Sequence, residues 1–186
     1  MLILASASPR RQELLRNAGI PFEVHPARIN EDPLSGESAQ ACAERLARAK
    51  ALAIAPLHPA DLILAADTVV TIDNLILNKP SDPPDAARML RLLSGRTHHV
   101  ITGVCLAAPN RPPVVASETT AVTMSHISDA DLAAYISTAE PMDKAGAYAI
   151  QGLASRWIPR IDGDYSNVVG LPISLVYRLL QQAARK

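Results

Sequence analysis

The sequence predicts an α/β fold: apolar runs of strand length alternate with longer stretches of helical period along the whole chain, with no internal repeat and no low-complexity segment. The 186 residues, 48% hydrophobic and 19% charged, suit one domain spanning 1–186. A chain of this length buries roughly 70% of the surface its unfolded form exposes, so it needs no covalent staples. Apolar runs that end at serine, aspartate, proline or glycine supply the element boundaries.

In order, Leu2 to Ala5 reads as a buried strand. Ser8 offers an N-cap and Pro9 a first helical position; Leu14, Leu15 and Ala18 begin an apolar face that Gly19 ends. Phe22 to His25 is a weaker strand, followed by a polar loop through Glu31, Asp32 and Gly36. Ser38 to Ala55 has helical period, with Cys42, Leu46, Ala49 and Ala53 on one face, Lys50 on its flank, and Pro56 and Pro59 beyond. Leu62 to Ala66 reads as a buried strand that runs into Asp67-Thr68, and Val69 to Leu77 as a hairpin turning at Asp73-Asn74. Asp82 caps a helix with Pro83 at its first position and Gly95 at its end. Thr97 to Ala107 and Val114 to His126 are long strands joined by the turn Pro109 to Pro113. Ser128 to Ala139 is a short amphipathic helix, Glu140 to Gly152 a loop, Arg156 to Ile161 a strand, and Pro172 to Ala184 a helix with the stripe Ile173, Val176, Leu180 and Ala183.

Composition excludes several functions. Lys+Arg and Asp+Glu stand at 18 each, so no basic field exists to hold a nucleic-acid polymer, and 3% aromatics cannot form a stacking platform. Cys42 and Cys105 fit neither a CxxC nor a disulfide framework and read as small buried residues in a reducing compartment. Met1 to Ala7 lacks a basic n-region, and no run reaches the ~20 apolar residues of a membrane helix. A cytoplasmic location, away from membranes, is the expectation.

Chemistry concentrates at a few positions. A helix N-terminus carries unpaired N–H groups and partial positive charge, which disfavours Arg10 and Arg11 in the first turn unless an anion sits there; two solvated arginines are the alternative. The turn is not a P-loop, since GxxxxGK[ST] is absent. Asp67, expected at the carboxyl end of a strand where open sheets place ligands, suits a metal ligand or a general base, or caps a turn. Glu31 is a candidate partner carboxylate. Lys50, Lys79 and Lys144 are candidate phosphate clamps or solvated lysines. His98-His99 is a poor metal pair, because strand neighbours face opposite ways. Trp157 and the tyrosines read as packing residues.

The segment Ser6-Ala7-Ser8-Pro9-Arg10-Arg11-Gln12-Glu13-Leu14-Leu15 resembles the opening signature of the Maf family of nucleotide pyrophosphatases. The resemblance continues in Ala66-Asp67-Thr68-Val69-Val70, Asn78-Lys79-Pro80, Leu93-Ser94-Gly95-Arg96-Thr97-His98, the block Glu140 to Gly152, and Asn167-Val168-Val169-Gly170-Leu171-Pro172. It implies an α/β single domain with a twisted mixed sheet flanked by helices, two lobes around a nucleotide cleft, and a homodimer. It also implies cleavage of the α–β phosphoanhydride of nucleoside triphosphates with a divalent metal, Mg²⁺ or Mn²⁺. Carried over, Asp67 is the proton acceptor. Arg10, Arg11, Lys50 and Lys79 hold phosphates, Ser6 adds a hydroxyl, and Glu31 helps place metal or water beside Asp67. Arg10, Thr68 and Gln151 match positions tied to substrate choice. Thr68, Lys144 and Gln151 resemble the branch favouring dTTP and UTP. A glutamine amide offers donor and acceptor to a uracil or thymine edge, as a carboxylate does not. Tyr165-Ser166 departs from the aromatic pair of many members. Hydrolysis of 7-methyl-GTP, or a nucleotide-binding regulator linked to cell division, are the rival expectations.

Overall fold

The computed structural model describes residues 1–184, and its centre is a seven-stranded mixed sheet. In chain order the elements are β1 (Leu2–Leu4), α1 (Pro9–Asn17), β2 (Glu23–Val24), α2 (Ala39–Ile54), β3 (Leu62–Ile72), β4 (Leu75–Leu77), α3 (Pro83–Leu93), β5 (Thr97–Ala107) and β6 (Val114–Thr123). They close with α4 (Asp129–Ser137), β7 (Arg160–Asp162), α5 (Tyr165–Val169) and α6 (Ile173–Ala184). The strands lie in the order β2-β1-β3-β5-β6-β7, with β4 also on β3. β1 pairs parallel with β2 and β3, and every other pairing is antiparallel. No helix among the described residues is long and apolar enough to cross a membrane.

β3 organises the rest. β5 covers one edge of it from Ile63 to Thr71. The other edge is shared: β1 pairs with Leu62 to Leu64, and β4 folds back onto Val70 to Ile72. The stretch around Ala66 and Thr68 therefore has no strand beside it on that edge. Alternation along β3 sends Ile63, Ala65, Asp67 and Val69 towards α2, whereas Leu64, Ala66 and Val70 join clusters on the opposite face. On that opposite face, α1 and α6 cover one end through Leu15, Leu175, Val176 and Leu179. α3 and α4 cover the other end through Met89, Leu90, Leu132 and Tyr135. Two packed lobes result, with the bare stretch of β3 between them.

The expected caps are present: Ser8, Ser38, Asp82 and Ser128 each accept a backbone N–H in the first turn of the helix that follows. The β3–β4 hairpin turns at Asp73 and Asn74, both with positive φ. Both cysteines are buried and unpaired.

Five expectations need correction. The strand predicted to stop at Ala66 runs on to Ile72, so Asp67 is in mid-strand and not at a carboxyl end. The buried stripe of α2 is Cys42, Ala43, Leu46, Ala47, Lys50, Ala51 and Ile54, which puts Lys50 within the face while Ala53 is exposed. In so alanine-rich a helix the apolar period hardly distinguishes one face from the next. The predicted strand Arg156 to Ile161 begins late, because Leu153–Trp157 forms a 3₁₀ turn and only Arg160–Asp162 pairs with β6. On α6 the most buried residues are Leu175, Val176 and Leu179. The face is thus rotated by less than a quarter turn from the predicted stripe, which shares Val176 and whose Ile173, Leu180 and Ala183 pack part-buried on the same cluster. Tyr135 and Tyr148 are buried as expected, but Tyr165 and Tyr177 are exposed.

His98 faces inward from β5 with no exposed surface, and its Nε2 lies 2.7 Å from the Tyr148 hydroxyl. Burial, aided by the neighbouring His99 charge, pushes its pKa from 6.5 down to about 4. Between those values the unfolded chain binds a proton that the folded chain refuses, so stability falls as pH falls through that window. The loss from this residue should be about 3 kcal/mol between pH 7 and pH 4. Urea unfolding of the wild type and His98→Gln across that range checks it; equal pH slopes in the two would refute the assignment.

Candidate active site

The bare stretch of β3 is closed by a side chain. Arg11, from the first turn of α1, donates through Nη1 to the Ala66 carbonyl at 2.8 Å and to Ser6 Oγ at 3.2 Å. Its Nη2 donates to Thr68 Oγ1 at 3.1 Å and its Nε to the Gly170 carbonyl at 2.8 Å. Burial lowers the guanidinium pKa, against the opposing pull of Asp67 and Glu31. Ser6 Oγ also accepts from the Ser8 N–H, which fixes the turn into α1. Thr68 Oγ1 lies 2.9 Å from Thr102 Oγ1, its register partner on β5, and Thr102 Oγ1 in turn donates to the Asn167 carbonyl.

On the α2 face the dominant group is Lys50. Its Nζ lies 2.6 Å from Asp67 Oδ1 and 2.6 Å from Glu31 Oε1. Lys50 and Asp67 are each 7% exposed, so this is a buried ion pair, with Glu31 closing it from the solvent side. Partial burial works to raise the Glu31 pKa, but the Lys50 hydrogen bond and the charges of Lys50, Lys79 and Arg11 outweigh it and hold the carboxyl below its ordinary value. Asp67 Oδ2 has no protein donor among the described residues. Helix α2 reaches the strand this closely because Gly103, the β5 residue opposite Asp67, has no side chain: a Cβ there would overlap the Ala43 carbonyl.

Between the lobes lies a cavity of about 830 Å³, lined by Ser6, Arg10, Arg11, Glu31, Lys50, Asp67, Thr68, Lys79, Lys144 and Gln151. The ten residues that the resemblance assigns to the site thus line one cavity. Their states differ. Arg10, Lys79 and Gln151 have no side-chain partner among the described residues. Lys144 Nζ is tied to the Glu140 carbonyl and to Asp143. Most donors of Arg11 are spent on protein acceptors, and Lys50 is spent on two carboxylates. The cavity also includes Asn78, Asp143, Tyr148 and Gly170, which lie inside the matching motif blocks but are assigned no role from the sequence. Asp143 is held below its ordinary pKa: burial opposes the shift, and the Lys144 bond and charge and the Arg10 charge prevail.

Among the described residues no group of three or more His, Cys, Asp or Glu is placed to hold a metal. Asp67 and Glu31 nevertheless converge on one cationic atom, which is the donor set of a hard divalent ion that completes its shell with water and phosphate oxygens.

Fold and site define an α/β protein with a cleft for a polyanion, two unpaired cations at its walls and a carboxylate pair at its floor. The chain belongs to the Maf family: the family described as Maf-like protein matches residues 1–183. A protein of Koribacter versatilis named dTTP/UTP pyrophosphatase is 57% identical over 98% of this chain and 94% of its own length. One of the same name from Moorella thermoacetica is 49% identical over 96% and 93%. A solved structure of a nucleoside-triphosphatase / dITP/XTP pyrophosphatase from Mycobacterium abscessus aligns with a TM-score of 0.41 at 18% identity, over 68% of this chain and 74% of that one.

The close approach at Gly103 gives a direct test. Gly103→Ala should destabilise the fold by about 1–3 kcal/mol through overpacking, because the obstacle is backbone and cannot rotate away. An unchanged urea midpoint would show that α2 does not rest on this position.

Proposed function

We propose that the protein hydrolyses nucleoside triphosphates, dTTP and UTP foremost, to the monophosphate and pyrophosphate. The observation that carries this reading is the buried Asp67–Lys50–Glu31 cluster at the floor of a cleft whose walls present Arg10 and Lys79 unpaired. The names of the relatives supply the substrate class.

Asp67 Oδ2 takes a proton from the water that attacks the α-phosphorus. As the new P–O bond forms, the bond to the bridging oxygen breaks, and pyrophosphate leaves with the proton returned to it. Arg10 and Lys79 hold the β- and γ-phosphates and offset charge as it moves to the leaving group. Lys50 keeps Asp67 and Glu31 in fixed positions, and Arg11 holds the strand edge on which Asp67 sits. Asp67 and Glu31 would hold Mg²⁺ or Mn²⁺, which supplies charge neutralisation on the phosphate oxygens. Gln151 and Thr68 lie where base and sugar are selected, and Lys144 backs that wall. With this reading goes a homodimer in the cytoplasm. Its support is the family resemblance and two unpaired buried cysteines; a monomer mass by light scattering would refute the dimer.

Asp67→Asn should leave folding near normal and lower pyrophosphate release by about 10²–10⁴-fold, the usual worth of a general base. Malachite-green detection after inorganic pyrophosphatase, across dTTP, UTP, CTP, dATP, GTP and 7-methyl-GTP, measures rate and preference together. Preference for 7-methyl-GTP would overturn the substrate assignment, and tight binding without turnover would favour a regulator. Retained turnover in Asp67→Asn would remove that residue from the base role.

A further inference from the structure

The wall that carries Lys144 and Gln151 is the segment between the 3₁₀ turn Glu140–Asp143 and the 3₁₀ turn Leu153–Trp157. Its two ends meet at one carboxylate. Glu140 Oε1 accepts the Leu153 N–H at 3.0 Å and the Tyr135 hydroxyl at 3.0 Å, and Oε2 lies 3.3 Å from the same N–H. Tyr135 is wholly buried and packs edge-on against Trp157, with ring centroids 5.4 Å apart. The Glu140 carboxylate is thus anchored to the core of the α3–α4 lobe. The same residue's carbonyl accepts Lys144 Nζ at 3.2 Å. Gly152 lies directly over the carboxylate, since a Cβ at 152 would overlap it. Gln151, whose side chain has no partner of its own among the described residues, is the residue immediately before that contact.

We propose that Glu140, outside the cavity lining, is the positioning residue for base selection: its carboxylate clasps Leu153 and Tyr135, closes the segment into a ring, and so fixes where Gln151 presents its amide. Gly152 belongs to the same device, because only a residue without a side chain lets the carboxylate reach the Leu153 N–H. Preorganisation of this kind gives selectivity because a loose amide could follow the base it meets, whereas a fixed one leaves a mismatched edge unpaired. The proposal rests on the reading that Gln151 faces the base.

The experiment compares kcat/KM for dTTP with that for dCTP in the wild type and in Gln151→Ala, Glu140→Ala, Glu140→Gln, Gly152→Ala and Tyr135→Phe. All are measured below the melting temperature of the least stable variant. Glu140→Ala and Gly152→Ala should each reduce discrimination about tenfold, the worth of one buried hydrogen bond, chiefly through KM for dTTP. Glu140→Gln keeps an acceptor for both donors and should retain discrimination. Tyr135→Phe removes only the hydroxyl and should fall between them. The Glu140→Ala/Gly152→Ala double variant should be no worse than either single change, since both break one contact. Discrimination lost in Gln151→Ala but kept in Glu140→Ala and Gly152→Ala would overturn the clasp and leave the base reading standing. Discrimination kept in Gln151→Ala would overturn the base reading and the clasp with it.

Discussion

A gap in the pairing of β3 governs this molecule. One edge of the strand is covered by β5 along nearly its whole length, but β1 and β4 divide the other and do not meet. A buried carbonyl left unpaired there would cost about 1–3 kcal/mol, so the Ala66 oxygen needs a donor that no strand supplies. Arg11 supplies it, and a guanidinium is the side chain with enough donors to serve Ala66, Ser6, Thr68 and Gly170 at once. The consequence reaches well beyond one hydrogen bond. Because Arg11 comes from the first turn of α1, filling the gap also places Ser6, Ser8 and Arg10 at the mouth of the cleft. Because Gly170 precedes α6, the same guanidinium also ties the start of α6, in the lobe it shares with α1, to the strand. The gap also explains how consecutive residues with opposite facing, Asp67 and Thr68, line one cavity: it opens on the strand's edge, which both faces reach.

The second constraint is electrostatic. Lys50 and Asp67 are nearly out of water, and such a pair is held at a net cost unless its geometry is good and its remaining valences are met. Here the geometry comes from sequence features that are individually plain: an alanine-rich helix and Gly103 opposite Asp67, which together let α2 settle onto the sheet. The pair adds little to stability for its burial. It holds a carboxylate in one position with one oxygen committed and the other open, which is an arrangement a general base requires and a packed core does not.

Much of this was legible in the sequence, and the illegible remainder has a common cause. Caps and breakers are local, so Ser8-Pro9, Asp82-Pro83 and Asp73-Asn74 gave their elements directly. The convergence of Ser6, Asp67, Lys79 and Gln151 is implied by the family resemblance alone and by nothing in the local pattern of each residue. What the sequence could not show was pairing between distant segments. The apolar run Leu62 to Ala66 puts Asp67 at a strand end, yet the strand continues through polar residues because β5 pairs with them. Arg11 and Arg10 are adjacent and alike on paper; only the unpaired edge of β3 makes one a strut and leaves the other free. The helical period alone puts Lys50 on a flank, since a lysine in an alanine-rich helix gives no hint that two carboxylates will meet it. The five-residue α5, capped by Asp164, is too short to have a period that the sequence could show.

Charge accounting inside the cleft bears on how a triphosphate would be held. The chain as a whole is neutral, with 18 basic and 18 acidic residues, so no global field draws the ligand in. Within the cavity, Lys50 is outnumbered by Asp67 and Glu31, Lys144 is matched by Asp143, and Arg11 keeps its charge because its acceptors are neutral. Arg10 and Lys79 are the lining cations with no side-chain partner among the described residues. The lining holds the cations Arg10, Arg11, Lys50, Lys79 and Lys144 against the carboxylates Glu31, Asp32, Asp67 and Asp143, an excess of one positive charge. A nucleoside triphosphate brings roughly four negative ones, and a divalent ion would narrow that difference. On the proposed reading, the carboxylates that Lys50 gathers are the protein's means of placing that charge beside the α-phosphate, where the open oxygen of Asp67 also lies. On that reading, the metal expected from the resemblance would supply part of the positive charge that the cleft's own side chains lack.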